Sequence, residues 1–251
     1  MTSIPNLLQV LTGALLSIAL VACAPAPIPR DAPRSLPYEL PDYRAARTGW
    51  DILEDGRIHA WVEHLYLRDI APEQVAWFYR YLPIATIRYN DTVYPLYHFF
   101  HPTEHGRLQV VEPATDGSAG MGVGSVVQRD EWFGEYDSRG AARIDAFTDT
   151  GFIAIPEAFG LTIGEVRHQL SAEAGGTRYR VDTLIGSELP VLGAALNWYL
   201  RTRVFHPDML VQWQRHQVQE VSTLQFLLPV IYPQRGGDNT AFSWPANNTT
   251  E

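Results

Sequence analysis

Apolar and polar positions along this chain recur with periods that predict its elements. "RIHAWVEHLYL" partly alternates and predicts a strand. So do "RLQVVEP", "MGVGSVVQRDEWFG", "RIDAFTDTGFIAIP", "TIGEVRHQLSAEAGG" and "TRYRVDTLIG". "DIAPEQVAWFYRYLP" has Pro72 in its first turn and Pro83 just past its end, which predicts a short helix. "GAALNWYLRTRVF" predicts a second helix. Beyond Pro207, "DMLVQWQRHQVQEVSTLQFLL" predicts one long helix stopped by Pro229. There is no internal repeat. Strand, helix, several strands and a long C-terminal helix is the order of an antiparallel α+β fold in which a curved sheet wraps the helix. Such a layout has room for a deep apolar cavity between sheet and helix.

The long helix has an anomaly in its apolar stripe. At about 100° per residue, Met209, Trp213, His216, Glu220 and Leu227 fall on one face. His216 and Glu220 are four residues apart, so their side chains project together. A histidine and a carboxylate inside a core-facing stripe need a reason.

The first residues form a separate unit. "LLQVLTGALLSIAL" is apolar but short for a membrane span, and it ends in Leu20-Val21-Ala22-Cys23, which looks like a bacterial lipobox. "MTSIPN" departs from an export signal in having no basic residue. This predicts a lipoprotein signal peptide over 1–22, lipid on Cys23, and a mature chain of roughly 230 residues, enough for one large domain or two small ones. Ala24 after the cysteine fits outer-membrane sorting, on the periplasmic side, in a Gram-negative host. "APAPIPRDAPRSLPYELPDYR" predicts an extended tether over 23–44. The domain is expected over 45–233, with a disordered tail over 234–251.

Charge and missing residue types narrow the chemistry. The net charge is −9 with no basic run, which argues against nucleic acid. Cys23 is the only cysteine; lipidated, it leaves the fold without a disulfide, a thiol nucleophile or a cysteine ligand. All 19 basic residues are arginine, which excludes Schiff-base chemistry through lysine and a P-loop. Catalysis is left to His, Asp, Glu, Ser, Thr, Tyr, Arg, or a metal held by His and carboxylates.

Three places could supply ligands: the His216/Glu220 pair, His98, His101 and His105 in "YHFFHPTEH", and Glu131 and Glu135 in "QRDEWFGE". Imidazole and carboxylate suit zinc, whose bound water reaches a pKa of about 7. Each feature also has an ordinary structural reading. A His-x-x-x-Glu pair is commonly a surface hydrogen bond, the three histidines can flank the turn at Pro102, and the two glutamates can end a strand in solvent. His59 and His64 read as packing or edge residues; His168 and His206 carry no assigned role.

"YHFFHPTEH" followed much later by "RHQVQEVSTLQFLLP" resembles the 2,4-diacetylphloroglucinol hydrolase family, which includes phloretin-hydrolase-like enzymes. The resemblance covers about residues 45 to 233. It implies a Bet v 1- or START-like helix-grip fold, in agreement with the element order. It also implies a mononuclear Zn2+ site of two histidines and two glutamates, carried over to His105, Glu131, His216 and Glu220. His105 is chosen over His101 for its spacing from Tyr97, which matches a substrate tyrosine; Glu131 is chosen over Glu135. The implied reaction is hydrolysis of a carbon–carbon bond between an acyl group and a phenolic ring, as in an acylphloroglucinol, a small hydrophobic aromatic ketone. Tyr97, and more weakly Tyr179 in "TRYRV", would hold the ring hydroxyls and relay a proton. The alternative is a non-catalytic envelope lipoprotein holding a hydrophobic ligand in the same cavity.

Overall fold

The computed structural model describes residues 26–158, 161–190, 192–237 and 239–245. The predicted signal peptide and Cys23 lie outside the described residues.

A single antiparallel sheet dominates. Its strands are β1 (Arg47–Ile52), β2 (Ile58–Glu63), β6 (His105–Glu112), β7 (Val126–Phe133), β8 (Tyr136–Thr148), β9 (Gly151–Ala158), β11 (Gly164–Glu173) and β12 (Gly176–Ile185), in the order β1-β2-β12-β11-β9-β8-β7-β6. β3 (Leu67–Arg68) pairs with β12, and β10 (Leu161–Thr162) with β9. Alternation dictates which side chains face inward: in β12, Thr177, Tyr179, Val181, Thr183 and Ile185 are all buried. "RIDAFTDTGFIAIP" is two strands rather than one, because the chain reverses at Asp149-Thr150-Gly151. Gly151 has φ +140, and a Cβ there would meet the His168 carbonyl at 2.0 Å, so only glycine fits this reversal.

The helices are α1 (Pro72–Tyr81), α2 (Leu96–Phe100), α3 (Leu192–Tyr199), α4 (Pro207–Ser222) and α5 (Leu224–Ile231). Helices against the concave face of a curved antiparallel sheet make this a helix-grip α+β fold. The expected single C-terminal helix is broken in two. At Thr223 the hydroxyl donates to the Glu220 carbonyl at 2.7 Å and reaches the Phe100 carbonyl at 3.1 Å. That side chain competes with the helical ladder and bends the helix there. Pro229 lies inside α5 rather than ending it.

The main core joins α1, α2 and α5 to the sheet through Phe78, Phe99, Phe100, Leu224 and Ile231. Aromatic side chains occupy part of the space between sheet and helices. Tyr79 packs on Phe100, Phe152, His168 and Tyr179 with centroids 4.8–6.3 Å apart.

Two terminal expectations are corrected. The described part of the predicted tether, 26–44, lies on the domain. Ile28 is buried, Arg30 donates to the Gly134 and Glu135 carbonyls, and Arg34 donates to the carbonyls of Pro102 and His105. Tyr38 stacks on Phe226 and donates to the Phe99 carbonyl. Proline content marked this stretch as extended, but its aromatic and arginine side chains find partners. Likewise, 241–243 of the predicted disordered tail form β13 (Ala241–Ser243), parallel to β4 (Thr86–Tyr89), which also pairs β5 (Thr92–Pro95). Burial of Phe242 and packing of Trp244 on Phe99 offset the entropy of ordering it.

Candidate metal centre

The site is built where the β6–β7 hairpin meets α4. His105 opens β6 and is the cross-strand partner of Glu131 in β7, so the ladder sets the two side by side. A register shift between His105 and Arg107 marks a bulge at Gly106, where a Cβ would stand 3.0 Å from the Asp130 carbonyl. Glu131 shares the inward face of β7 with Val127, Arg129 and Phe133. His216 and Glu220, one turn apart on α4, close the site from the helix side. All four are buried.

Their donor atoms converge. His105 Nε2 lies 3.2 Å from His216 Nε2 and 3.2 Å from Glu220 Oε2. His216 Nε2 is 3.7 Å from Glu220 Oε2 and 4.0 Å from Glu131 Oε2. A four-coordinate ion with bonds of about 2.0–2.2 Å holds its ligand atoms roughly 3.3–3.6 Å apart. The buried cluster could therefore hold a metal ion, with His105, Glu131 and His216 as one compact group and Glu220 joined through both histidines.

The protonation pattern supports the fit. His105 Nδ1 faces the Tyr97 carbonyl at 2.7 Å, and a carbonyl only accepts, so the ring proton sits on Nδ1. His216 Nδ1 faces Glu104 Oε2 at 2.9 Å. Burial pushes the Glu104 carboxyl up, but His216, His101 and Arg215 outweigh it and hold the group down at about 2. Glu104 is thus an acceptor, and His216 Nδ1 carries its proton. His105 Nε2 is then a lone pair, and His216 Nε2 faces it at 3.2 Å. A cation held between the two nitrogens suits this contact.

Several surrounding groups hold the ligands. Tyr97 is involved three times: its carbonyl accepts from His105 Nδ1, its ring stacks on His105 at 3.6 Å, and its hydroxyl donates to Glu131 Oε2 at 2.8 Å. Arg129 pairs with Glu131, and its guanidinium pKa is raised chiefly by that carboxylate. Gln217 donates to Glu220 Oε1 at 2.6 Å, leaving Oε2 for the centre. The Gly134 N–H and Arg215 complete the bonds to Glu104. Burial first, then Glu131, raises Glu220 well above the usual carboxylate range. Burial and then His216 lower His105 well below the usual histidine value, so it stays neutral.

The other predicted residues fall elsewhere. His101 is a neighbour rather than a member of this group of four. Its Nδ1 accepts from the Thr103 and Glu104 N–H groups, its Nε2 lies 3.6 Å from Glu104 Oε2, and its ring stacks on His216 at 4.6 Å. His101, Glu104 and His216 also come close enough for a cation, but Arg215 already neutralises Glu104 there. Glu135 is exposed in the β7–β8 turn, and His98 bonds the Gly106 carbonyl. Tyr179 is fully buried; its hydroxyl donates to Tyr79 at 2.8 Å and meets His168 Nδ1 at 2.5 Å. Burial and then other charges, Glu220 among them, raise both tyrosines well above their usual value.

Sequence reasoning missed Glu104, Arg129, Arg215 and the Tyr79–Tyr179–His168 chain. Arg129 was findable, because alternation puts it on the face of Glu131. Glu104 offered no local signal, since its partners lie about 30 and 110 residues away.

No family model and no curated protein matches the chain. Among solved structures it is similar to Ara h 8.0201 (12% identity, TM-score 0.38, covering 67% of this chain and 97% of that one). It is similar to Ms6760 from Mycobacterium smegmatis (14%, 0.43, 73% and 96%). The di-domain ARO/CYC BexL from the BE-7585A biosynthetic pathway also resembles it (14%, 0.35, 65% and 50%). Likeness at this level says nothing about activity.

Proposed function

We propose that the chain is a zinc-dependent hydrolase that cleaves the carbon–carbon bond between an acyl group and a phenolic ring. The observation that carries this reading is the pair of opposed histidine Nε2 atoms with two carboxylates in one buried site. Borderline-soft Zn2+ suits a two-imidazole, two-carboxylate set. When bound, the ion supplies Lewis acidity toward an acyl carbonyl and a water of lowered pKa.

The chain's own groups handle the protons. An aryl leaving group departs as a carbanion unless its ring carbon is protonated. Tyr97 keeps its phenolic proton because burial, then Glu131 and Glu220, raise its pKa well above the usual value; it donates rather than acts as a base. The Tyr79–Tyr179–His168 chain offers further donors and acceptors suited to ring hydroxyls. The export reading belongs with this proposal: lipid on Cys23 places the domain on the envelope side of a membrane.

Elemental analysis of the purified chain tests the metal, with one zinc per chain expected and His216→Ala expected to lose it. A screen of acylphloroglucinols for carboxylic acid release tests the reaction. Zinc-loaded protein that turns over no acylphenol but binds one tightly is a ligand carrier, a reading that the buried tyrosine–histidine chain also accommodates. Full zinc occupancy in His216→Ala sinks the site.

A further inference from the structure

We propose that the outer face of α3, with the turn that follows it, docks on an anionic phospholipid surface and fixes the domain's orientation against the membrane. The inward side of α3 is fully engaged. The Asn197 amide donates to the Asp55 and Ser187 carbonyls and its oxygen accepts from Ser187 N–H, while Leu196 and Leu200 pack into a small core with Ile58 and Leu210. The outward side is apolar as well: Leu192 is 71% exposed, Trp198 53% and Tyr199 49%. A helix that is apolar all round is normally buried, and among the described residues nothing covers this side. At eight residues α3 cannot cross a bilayer, and no described helix is long and apolar enough to do so. It can lie in the interface, where Trp and Tyr place an apolar ring and a polar tip.

Charge points the same way. The chain carries −9 overall, yet from Leu189 to Pro207 it has no Asp or Glu and gains Arg201 and Arg203. Apolar residues followed by two arginines, Arg203 exposed and Arg201 half-buried on the Gly56 carbonyl, fit an anionic headgroup layer in an otherwise acidic protein.

The chain's exit point puts a membrane on this side. Ala26, whose carbonyl accepts from Arg139, is the last described residue before the N-terminal apolar run, and the Ile28 N–H donates to Asp137. Next to Asp137, Tyr136 sets its ring edge-on to His206 at 5.0 Å, and His206 lies two residues past the Leu200–Val204 turn with its exposed Val204. Cys23 is three residues beyond Ala26, a reach of at most about 11 Å. A lipid there draws the bilayer to the end of the molecule where the turn after α3 lies. This part of the argument rests on the lipid-anchor reading; the exposed apolar face does not.

The test uses full-length chains carrying Cys23→Ala and one new thiol, either Ala195→Cys on the outer face of α3 or Val111→Cys on β6, each labelled with bimane. They are placed on phosphatidylethanolamine/phosphatidylglycerol vesicles with brominated acyl chains. The N-terminal apolar run keeps both chains on the vesicle, so a difference reads orientation rather than binding. We expect quenching several-fold stronger at 195 than at 111, lost when Leu192→Asp and Trp198→Asp are added. Equal quenching at the two positions, or none at 195, overturns the proposal. A dimer in solution by light scattering, dissolved by Leu192→Asp, would mean that a second copy covers this face and would overturn it as well. Loss of lipidation in the native host, read from the mass of the mature N-terminus, would remove the anchor but leave this outcome unchanged.

Discussion

His105 and His216 turn their Nε2 atoms toward each other across 3.2 Å, because the Tyr97 carbonyl and the Glu104 carboxylate hold the Nδ1 atoms on the far sides of both rings. The arrangement suits a cation shared between them. Glu220 lies 3.2 Å from His105 Nε2, and burial and then Glu131 raise its pKa well above the usual carboxylate range, which favours its donating to that nitrogen in the metal-free chain.

Metal uptake should therefore release about one proton, because Glu220 must ionise to serve as a ligand. Raising pH removes a competitor, so apparent zinc affinity should climb by up to about tenfold per pH unit near neutrality. Calorimetric titrations in buffers of different ionisation enthalpy would measure the released proton. Heats independent of buffer would mean that Glu220 is already ionised or is not a ligand.

Glu104→Gln should weaken zinc binding by roughly 10- to 100-fold without unfolding the protein. The amide keeps the size of the side chain but loses the charge that fixes the His216 tautomer and pairs with Arg215. Competition with a chromophoric chelator reads the loss. Unchanged affinity would make Glu104 a partner of Arg215 alone.

How far the sequence could be read depended on distance along the chain. The strands and α1 were legible because period-2 and period-3.6 patterns are local, and the His216/Glu220 pair was legible because four residues make one helical turn. The pairing of His105 with Glu131 depends on the β6–β7 register and the Gly106 bulge, neither of which a single strand reveals. The break at Thr223 was hidden because its hydroxyl bonds Phe100, 123 residues away. The N-terminal stretch misled through its prolines, whereas Arg34 and Tyr38 are held by carbonyls of the His105 segment and α2.

Acid should destabilise this fold partly through two histidines outside the metal centre. Burial, chiefly, holds both His64 and His168 down at about 3, against 6.5 for an exposed histidine. Below about 6.5 the unfolded chain takes up protons that the native chain refuses, so stability falls as pH drops toward 3. The slope is about 1.4 kcal/mol per pH unit for each histidine. Neither ring nitrogen of His64 has a hydrogen-bond partner, so His64→Leu removes no bond. It should flatten the acid slope by one histidine's share while costing little at pH 8. Denaturant melts at pH 5 and pH 8 test this; an unaltered slope would mean that water reaches His64 and that it titrates normally.

Tyr97→Phe separates holding the metal from using it. The substitution removes the hydroxyl bond to Glu131 but keeps the ring stacked on His105 and the carbonyl that accepts from His105 Nδ1. Arg129 still pairs with Glu131, so zinc should stay bound. If the phenol delivers a proton to the departing ring, the rate should fall by about 10²-fold, in the lower range for general acid catalysis. The loss should appear in kcat rather than in metal content, because the phenol, its pKa raised well above the usual value by burial and then Glu131, serves as a proton donor and not as a ligand. Zinc analysis beside steady-state kinetics on an acylphloroglucinol checks both halves. Full activity in Tyr97→Phe would assign the proton to the Tyr79–Tyr179–His168 chain, and loss of zinc would make Tyr97 a support of the ligands instead of a participant in the chemistry.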